Sequence, residues 1–231
     1  MSNKKETAEE LTDTLSKEDN GIVESIEKKK ETKNPPLLYN LAELQNDCSK
    51  LFKISPDQTL NVVQSLYEKR LVTYPRTDAR VLSSAVAKEI EKNIKGLADY
   101  APYSDAAREV LSGSAYKGIG KTRYTNDKMI TDHYAIIPTG SAVAETGRLK
   151  PLEADVYRLI VSRFLSIFYP PAIYEKVTIR TKVSSELFQT SSRALKSEGY
   201  LKLRFVRSGS DTDEVIMRSL RAVFLQDGGA P

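Results

Sequence analysis

Tyr74 and Arg76 are the pair of residues whose types and spacing are most suggestive of chemistry in this sequence. Pro75 disfavours a helical conformation at Tyr74, so we expect the phenol on a short, stiff, extended segment just after a helix. In an extended segment, residues two positions apart face the same side about 6.5–7 Å from each other, so one phosphate could contact both. A phenol that attacks a phosphodiester displaces a deoxyribose hydroxyl and leaves a phosphotyrosyl ester. This exchange is nearly balanced in free energy and can reverse without nucleotide hydrolysis.

The same pair also has an ordinary structural interpretation. An unperturbed tyrosine has a pKa of about 10, so attack near neutral pH needs a base or a positive field, which the permanently charged Arg76 could supply. A half-buried Tyr before a Pro, with Arg76 and Asp78 in a surface salt bridge, is however a common arrangement. Taken alone, the segment favours this structural interpretation.

A second polar cluster, at residues 126–139, contains the only histidine of the chain, His133. A lone histidine is more often structural than catalytic. Here it lies beside Asp132, in a polar run before an apolar Ala-Ile-Ile segment, where an imidazole could donate a hydrogen bond to a phosphate or orient one. We therefore treat His133 as a candidate phosphate contact.

The helices that must position these residues are marked by capping signals. The sequence Ser-Pro-Asp-Gln at residues 55–58 combines an N-cap, a proline at N1, an acid in the first turn and Gln at N3. It predicts a helix from Pro56 to about Lys69, with these residues facing inward: Leu60, Val63, Leu66 and Tyr67. Further helices are predicted after the Asn40 cap, from Ser83 or Ser84 to a left-handed cap at Gly96, over Ser104–Leu111, and over Pro151–Phe168.

From Ala172 onward the hydrophobic period changes from about 3.6 to 2, which predicts strands at 176–183, 186–190, 200–206 and 215–225. The alternating residues 21–32 predict one early edge strand before Pro35-Pro36. A single strand is not stable alone, so we expect it to join the C-terminal sheet, with the helical region inserted between two halves of one β domain. The predicted fold class is α+β.

The composition narrows the class of protein. The chain has 231 residues, of which 40% are hydrophobic and 29% charged, as in ordinary soluble globular proteins. No run of about 18 apolar residues is present, so we expect no membrane span. A single Cys48 and the lack of an N-terminal secretory signal predict a reducing cytoplasm. The net charge of +4 is too small to indicate a nucleic-acid partner by itself.

Several stretches together resemble the type IA DNA topoisomerases, most closely the bacterial topoisomerase III branch. They occur in the family's order over about residues 21–205, and this shared order is far more specific than any one stretch. The matching stretches are PPLLYNLAELQ at 35–45, the run Gln64-x-Leu66-Tyr67-Glu68, LVTYPRTD at 71–78, DHYAIIPT at 132–139, and Leu159–Phe164.

The resemblance implies roles for individual residues. Tyr74 would be the nucleophile that becomes linked to the 5′ phosphate of a transiently cut single strand of DNA, and Arg76 would position or neutralise that phosphate. His133 would assist contact with the phosphate, and Lys128 would be a basic DNA-binding residue before the histidine motif. Similar proteins usually have a second histidine where this chain has Tyr134. The implied activity is strand passage, which relaxes or decatenates DNA.

The resemblance also implies a domain organisation and partners. Residues 36–170 would form the helical domain that carries the tyrosine, inserted into a β-rich arch domain of residues 21–35 and 171–231. Residues 1–20 are expected to be disordered or an extension outside the fold. Family members begin with a Toprim domain, which binds Mg²⁺, and a helical segment at the base of the ring. Neither is evident here.

We therefore expect a fragment that is inactive without those N-terminal domains, that binds single-stranded DNA, and that holds no metal of its own. The acidic run at 211–214 is interpreted as a hairpin turn and not as the Mg²⁺ site. In a bacterium such an enzyme would lie in the cytoplasm with the nucleoid.

Two other classes of function stay open. The first is a catalytically silent module that retains the motifs and only binds single-stranded nucleic acid or a protein. The second is an unrelated α+β structural domain with the Tyr74 hydroxyl buried against protein. Convergence of Tyr74, Arg76 and His133 on one open basic surface would favour catalysis, whereas a Tyr74 ring sealed in the core would exclude it.

Overall fold

The computed structural model describes Thr12 and residues 20–205. The chain divides into two compact units. The helical unit contains Asn34–Pro171 and the described residues from Gly199 onward, and the sheet unit contains Ala172–Glu198 and the described residues up to Lys33. The predictions for residues 1–11, 13–19 and 206–231, including the strand at 215–225 and the acidic turn, lie outside the described residues.

The described residues combine helices with one antiparallel sheet, which confirms the α+β class. The helices are α1 (Leu41–Phe52), α2 (Pro56–Glu68), α3 (Ser84–Leu97), α4 (Ser104–Ser112) and α5 (Pro151–Ser166). The strands are β1 (Ile22–Lys33), β2 (Ala172–Val183) and β3 (Glu186–Ser197). Short 3₁₀ helices cover Ala101–Tyr103, Ala115–Lys121, Asp127–Met129, Val143–Arg148 and Gly199–Leu203. None of these helices is long and apolar enough to cross a membrane.

The sheet unit has β2 in the centre, with β1 and β3 on its two sides. β1 pairs antiparallel with β2 from Ile22 opposite Lys182 to Lys33 opposite Ala172. The early strand therefore joins the later ones as the sequence predicts, and it is an edge strand of 12 residues. Whether the helical unit is an insertion into a larger arch domain stays a prediction.

The helical unit is built around α5, whose Val156, Ile160, Val161 and Phe164 are fully buried. The predicted capping box of α2 is present: the Ser55 side chain accepts from the Gln58 amide, and the Gln58 side chain accepts from the Ser55 amide. Such reciprocal capping satisfies amides that the first helical turn leaves free. The N-terminus of α2 is thus defined by local sequence, as expected.

The predicted strand at 200–206 is wrong for its described part. Residues Gly199–Leu203 form a 3₁₀ helix in the helical unit instead. The Tyr200 amide donates to Pro170 O at 2.9 Å, and the Ser162 hydroxyl of α5 donates to Leu203 O. Burial of Tyr200 and Leu203 in this unit outweighs the alternating pattern, because packing overrides a weak local preference for strand.

The prediction that Gly96 ends α3 through a left-handed cap is also wrong. Gly96 lies inside α3, which ends at Leu97 with Ala98 in a right-handed conformation. A Cβ atom at Gly96 would collide with the backbone of Gly140, and one at Gly140, which has φ +74°, would collide with the backbone of Asn93. The two glycines therefore allow α3 to approach the segment that follows the histidine motif.

We expect Gly96→Ala to lower the free energy of unfolding by about 1–3 kcal/mol, because a methyl group inserted into a close backbone contact forces strain. Gly147→Ala is a matched control, since a Cβ at Gly147 would meet nothing within 4 Å. Urea unfolding of the two variants compares them. Equal stabilities would show that the contact between α3 and Gly140 relaxes without cost.

An ion pair links the end of α2 to the start of α5. Lys69 Nζ lies 2.6 Å from Glu153 Oε1, and the Ser65 hydroxyl donates to the same oxygen at 2.7 Å. The Lys150 amide donates to Glu153 Oε2 at 3.0 Å. Burial alone would raise the pKa of Glu153, but these hydrogen bonds outweigh it and lower the pKa to about 2. The carboxylate is therefore ionised and satisfied in the folded protein.

We expect Glu153→Gln to lower the free energy of unfolding at pH 7 by about 1–3 kcal/mol. Because the folded pKa of about 2 lies below the ordinary value of 4.5, this stabilisation is complete above pH 4.5 and is lost as the pH falls toward 2. The difference between variant and wild type should therefore shrink over that range in urea titrations. Glu89→Gln, which removes an exposed pair with Lys92, is the control and should have little effect at any pH.

Candidate active site

The segment that carries Tyr74, residues 71–82, contacts two segments that are distant from it in sequence. These are residues 38–41 and residues 133–139. Val72 faces Pro138, and Tyr39 faces Ile136, each in an isolated antiparallel bridge. The Thr73 amide donates to Ile137 O at 3.0 Å. These backbone hydrogen bonds hold the LVTYPRTD and DHYAIIPT motifs side by side, which explains why both motifs occur in one site.

Two threonine side chains strengthen this pairing on either side of Tyr74. Thr73 Oγ1 donates to Ala135 O and accepts from the Ile137 amide, both at 3.0 Å. Thr77 Oγ1 donates to His133 O at 2.7 Å, and Thr77 is buried. The backbone at His133 is therefore tied directly to the tyrosine segment. Neither threonine was predicted from the sequence to have a role, although both belong to LVTYPRTD.

The structure brings Tyr74 and His133 together. Their ring centroids are 4.3 Å apart, and the ring planes are tilted by 42°. Tyr74 is half-buried and His133 is exposed. The arrangement that would have excluded catalysis, a tyrosine sealed in the core far from the imidazole, is not observed.

Tyr67 also contacts Tyr74, which the sequence analysis missed. The two ring centroids are 5.5 Å apart, and the rings are nearly perpendicular at 82°. The prediction that Tyr67 faces inward on α2 is wrong, because its exposed fraction is 39% whereas the adjacent Leu66 is fully buried. The run Gln64-x-Leu66-Tyr67-Glu68 was the available signal, since it is one of the stretches on which the resemblance to the family rests.

Arg76 and Lys128 are exposed cations. No described residue forms a hydrogen bond or ion pair with the Arg76 guanidinium, so the proposed surface salt bridge with Asp78 is not formed within this part of the chain. The described contacts do not join either cation to Tyr74 or His133. The predicted i, i+2 alignment of Tyr74 and Arg76 therefore stays a prediction.

The loop that carries Lys128 is anchored at its base. The Ser84 amide and hydroxyl at the start of α3 donate to the Asp127 carboxylate at 2.8 and 2.6 Å, which lowers the pKa of Asp127. The Lys128 amide donates to Asn126 Oδ1 at 3.0 Å. Thus the backbone of Lys128 is held while its ammonium group projects into solvent.

Tyr134 directly follows His133, at the position where the resemblance implies a second histidine. It is half-buried, and burial raises the pKa of its phenol. The group therefore stays neutral near pH 7, where a histidine would be close to its titration range. It can offer a hydroxyl at this position but not a positive charge.

The Mg²⁺ that the resemblance implies for the longer enzyme stays a prediction for the part of the chain that the structure describes, residues 20–205. Within this range no group of three or more His, Cys, Asp or Glu side chains could hold a metal ion.

The sequence model of the DNA topoisomerase family matches residues 1–222, nearly the whole chain. The chain belongs to this DNA topoisomerase family. Its curated relatives include DNA topoisomerase 3 of Bacillus cereus, 36% identical over 217 residues that cover 91% of this chain and 28% of the relative. DNA topoisomerase 3 of Bacillus subtilis is 33% identical over 196 residues that cover 84% of this chain and 26% of the relative. The resemblance to the topoisomerase III branch is thereby confirmed.

The fold of this chain is also similar to that of a solved topoisomerase structure. Full-length topoisomerase I from Thermotoga maritima superposes with a TM-score of 0.59 at 22% sequence identity, covering 88% of this chain and 32% of that one. At this level of identity the likeness concerns the fold. The chain thus spans between 26% and 32% of the lengths of these three topoisomerases.

Proposed function

We propose that this chain is the nucleophile-bearing part of a type IA DNA topoisomerase, which cuts and reseals one DNA strand through a 5′-phosphotyrosyl ester at Tyr74. The observation that carries the proposal is the half-exposed Tyr74 ring, packed 4.3 Å from the ring of His133. Membership of the DNA topoisomerase family supplies the reaction class. Strand passage through the transient gap would relax or decatenate DNA.

In the cleavage step Tyr74 Oη bonds to the phosphorus, and the bond from phosphorus to the 3′ oxygen breaks. The phenol loses its proton, and the departing 3′ oxygen takes one up. Because one phosphodiester replaces another, the reverse reaction reseals the strand from the stored ester. No nucleotide needs to be hydrolysed.

Three further residues are proposed to contact phosphates of the DNA strand, two of them at the phosphate that Tyr74 attacks. Arg76 has no carboxylate partner among the described residues, so its guanidinium fork can pair with two phosphate oxygens without breaking an existing ion pair. His133 is exposed beside the phenol and can donate a hydrogen bond to the same phosphate. Lys128 is proposed to contact a neighbouring phosphate, a contact that positions DNA without reading its sequence.

The metal and the remaining acid catalysis are proposed to come from polypeptide outside these residues. Mg²⁺ would be held by a Toprim domain, and a helical segment would complete the ring around the DNA. We also propose that the helical unit is the tyrosine domain and that the sheet unit is part of the arch. On this proposal residues 1–231 alone bind single-stranded DNA without cutting it efficiently.

The test uses what we call the extended protein, in which this chain is joined to the N-terminal portion of the Bacillus cereus relative. A labelled single-stranded oligonucleotide and Mg²⁺ should give a covalent adduct that survives denaturation, and the labelled peptide should contain Tyr74. The chain alone should give almost none. Salt-sensitive binding without any adduct in the extended protein would reject the proposal in favour of a non-catalytic binding module.

A further inference from the structure

We infer that Tyr67 is a positioning residue that holds the Tyr74 ring in the orientation required for attack. The inference rests on the proposed function and adds a residue to it. The Tyr74 ring has two aromatic neighbours. The Tyr67 ring is nearly perpendicular to it with the ring centroids 5.5 Å apart, and the His133 ring is tilted with the centroids 4.3 Å apart. A perpendicular arrangement at this distance is one of the favoured geometries of aromatic pairs.

The Tyr74 side chain needs such support because its other restraints act on the backbone. The hydrogen bonds of Thr73 and Thr77 fix the chain on either side of Tyr74 but leave its side-chain torsions free. No described residue forms a hydrogen bond with the Tyr74 hydroxyl. A change of χ1 to another staggered well would move Oη by several ångströms, far more than an attacking atom tolerates. Ring contacts are therefore what locates Oη.

Tyr67 itself stands on a rigid support. It lies in the last turn of α2, and a tight turn follows in which the Arg70 amide donates to Tyr67 O at 2.8 Å and the Leu71 amide donates to Leu66 O at 2.9 Å. Arg70 has φ +59°, so the chain reverses sharply and returns LVTYPRTD against the end of α2. Core packing does not explain the Tyr67 side chain, which is 39% exposed. Its contact with Tyr74 does.

Substitutions at Tyr67 in the extended protein test the inference. We expect Tyr67→Leu to lower the rate of adduct formation at saturating oligonucleotide about tenfold, the upper range for an aromatic pair, without changing the Kd for the oligonucleotide. Tyr67→Phe keeps the ring and should retain the wild-type rate. Phe188→Leu is the matched control, because Phe188 is 38% exposed in the sheet unit, and it should have no effect.

A second measurement reports the geometry without cleavage. In the chain by itself, Tyr67→Leu should shift the NMR resonances of the Tyr74 ring, whereas Phe188→Leu should leave them unchanged. If Tyr67→Leu unfolds the protein, as seen by a lost urea transition, Tyr67→Met replaces it in both experiments.

The outcomes separate this inference from the proposed function. A wild-type adduct at Tyr74 with an unchanged rate in Tyr67→Leu overturns the inference and leaves the proposed function intact. A loss in Tyr67→Phe as large as in Tyr67→Leu, or an effect on Kd alone, also overturns it, since the ring would then not be the positioning element. If the wild-type adduct does not contain Tyr74, both proposals fail.

Discussion

In the extended protein, Tyr74→Phe is expected to abolish the covalent adduct with single-stranded DNA, a loss on the order of 10⁶ in rate that is typical of removing a nucleophile. The substitution removes one oxygen atom and retains the ring that packs against His133. Because no described residue bonds to the Tyr74 hydroxyl, stability should change by less than about 0.5 kcal/mol. Denaturing gels with a labelled oligonucleotide measure the adduct, and urea unfolding measures the stability.

The neighbouring tyrosine provides the control for this change. Tyr67→Phe removes the same atom from a ring 5.5 Å away and should leave adduct formation intact. If Tyr74→Phe still forms the adduct, another group is the nucleophile and the assignment of Tyr74 is wrong. If both variants lose it, the two hydroxyls act together, and the proposed division between nucleophile and positioning residue is wrong.

Arg76→Ala is expected to lower the rate of adduct formation by about 10² to 10³, the usual effect of removing one group that stabilises charge in a transition state. Arg76 is exposed and unpaired among the described residues, so protein stability should not change. Arg76→Lys should recover only part of the rate, because a lysine ammonium is a single point charge and not a planar fork. The slope of the logarithm of the binding constant against the logarithm of salt concentration should become shallower by the amount that corresponds to about one phosphate contact.

Arg108→Ala is the matched control for charge, because Arg108 is an exposed arginine on α4 that pairs with Asp105. It should leave the rate unchanged. If Arg76→Ala and Arg108→Ala lower the rate of adduct formation by equal, small factors, Arg76 contributes only to the general positive field. It would then not contact the scissile phosphate.

The helical elements followed from local signals. The start of α2 was predictable because the capping box uses residues three apart in sequence, and α5 because its apolar period is long and proline marks its beginning. The strands β1 and β2 were predictable because their residues alternate with the period of two that is typical of a strand. The 3₁₀ helix at Gly199–Leu203 was not, since its conformation depends on contacts with Ser162 and Pro170.

The residues that we propose to carry the reaction follow from residue type and from the order of the motifs. Tyr74, Arg76, His133 and Lys128 are all predicted from the sequence, and the structure places Tyr74 and His133 in contact. The roles of the two cations toward the phosphate stay predictions, because they depend on where a flexible side chain meets a bound DNA strand.

By itself, the sequence determined which residues have reactive groups, where the capped helices begin, and which family the chain resembles, because these depend on side-chain chemistry and on neighbours a few positions away. Only the tertiary structure decided that Thr73 and Thr77 tie the two motifs together, that Gly96 serves a close contact with Gly140, and that Tyr67 meets Tyr74. Such contacts join residues that are far apart in sequence. Local preferences allow many arrangements of these residues, and the packing of the whole unit selects one of them.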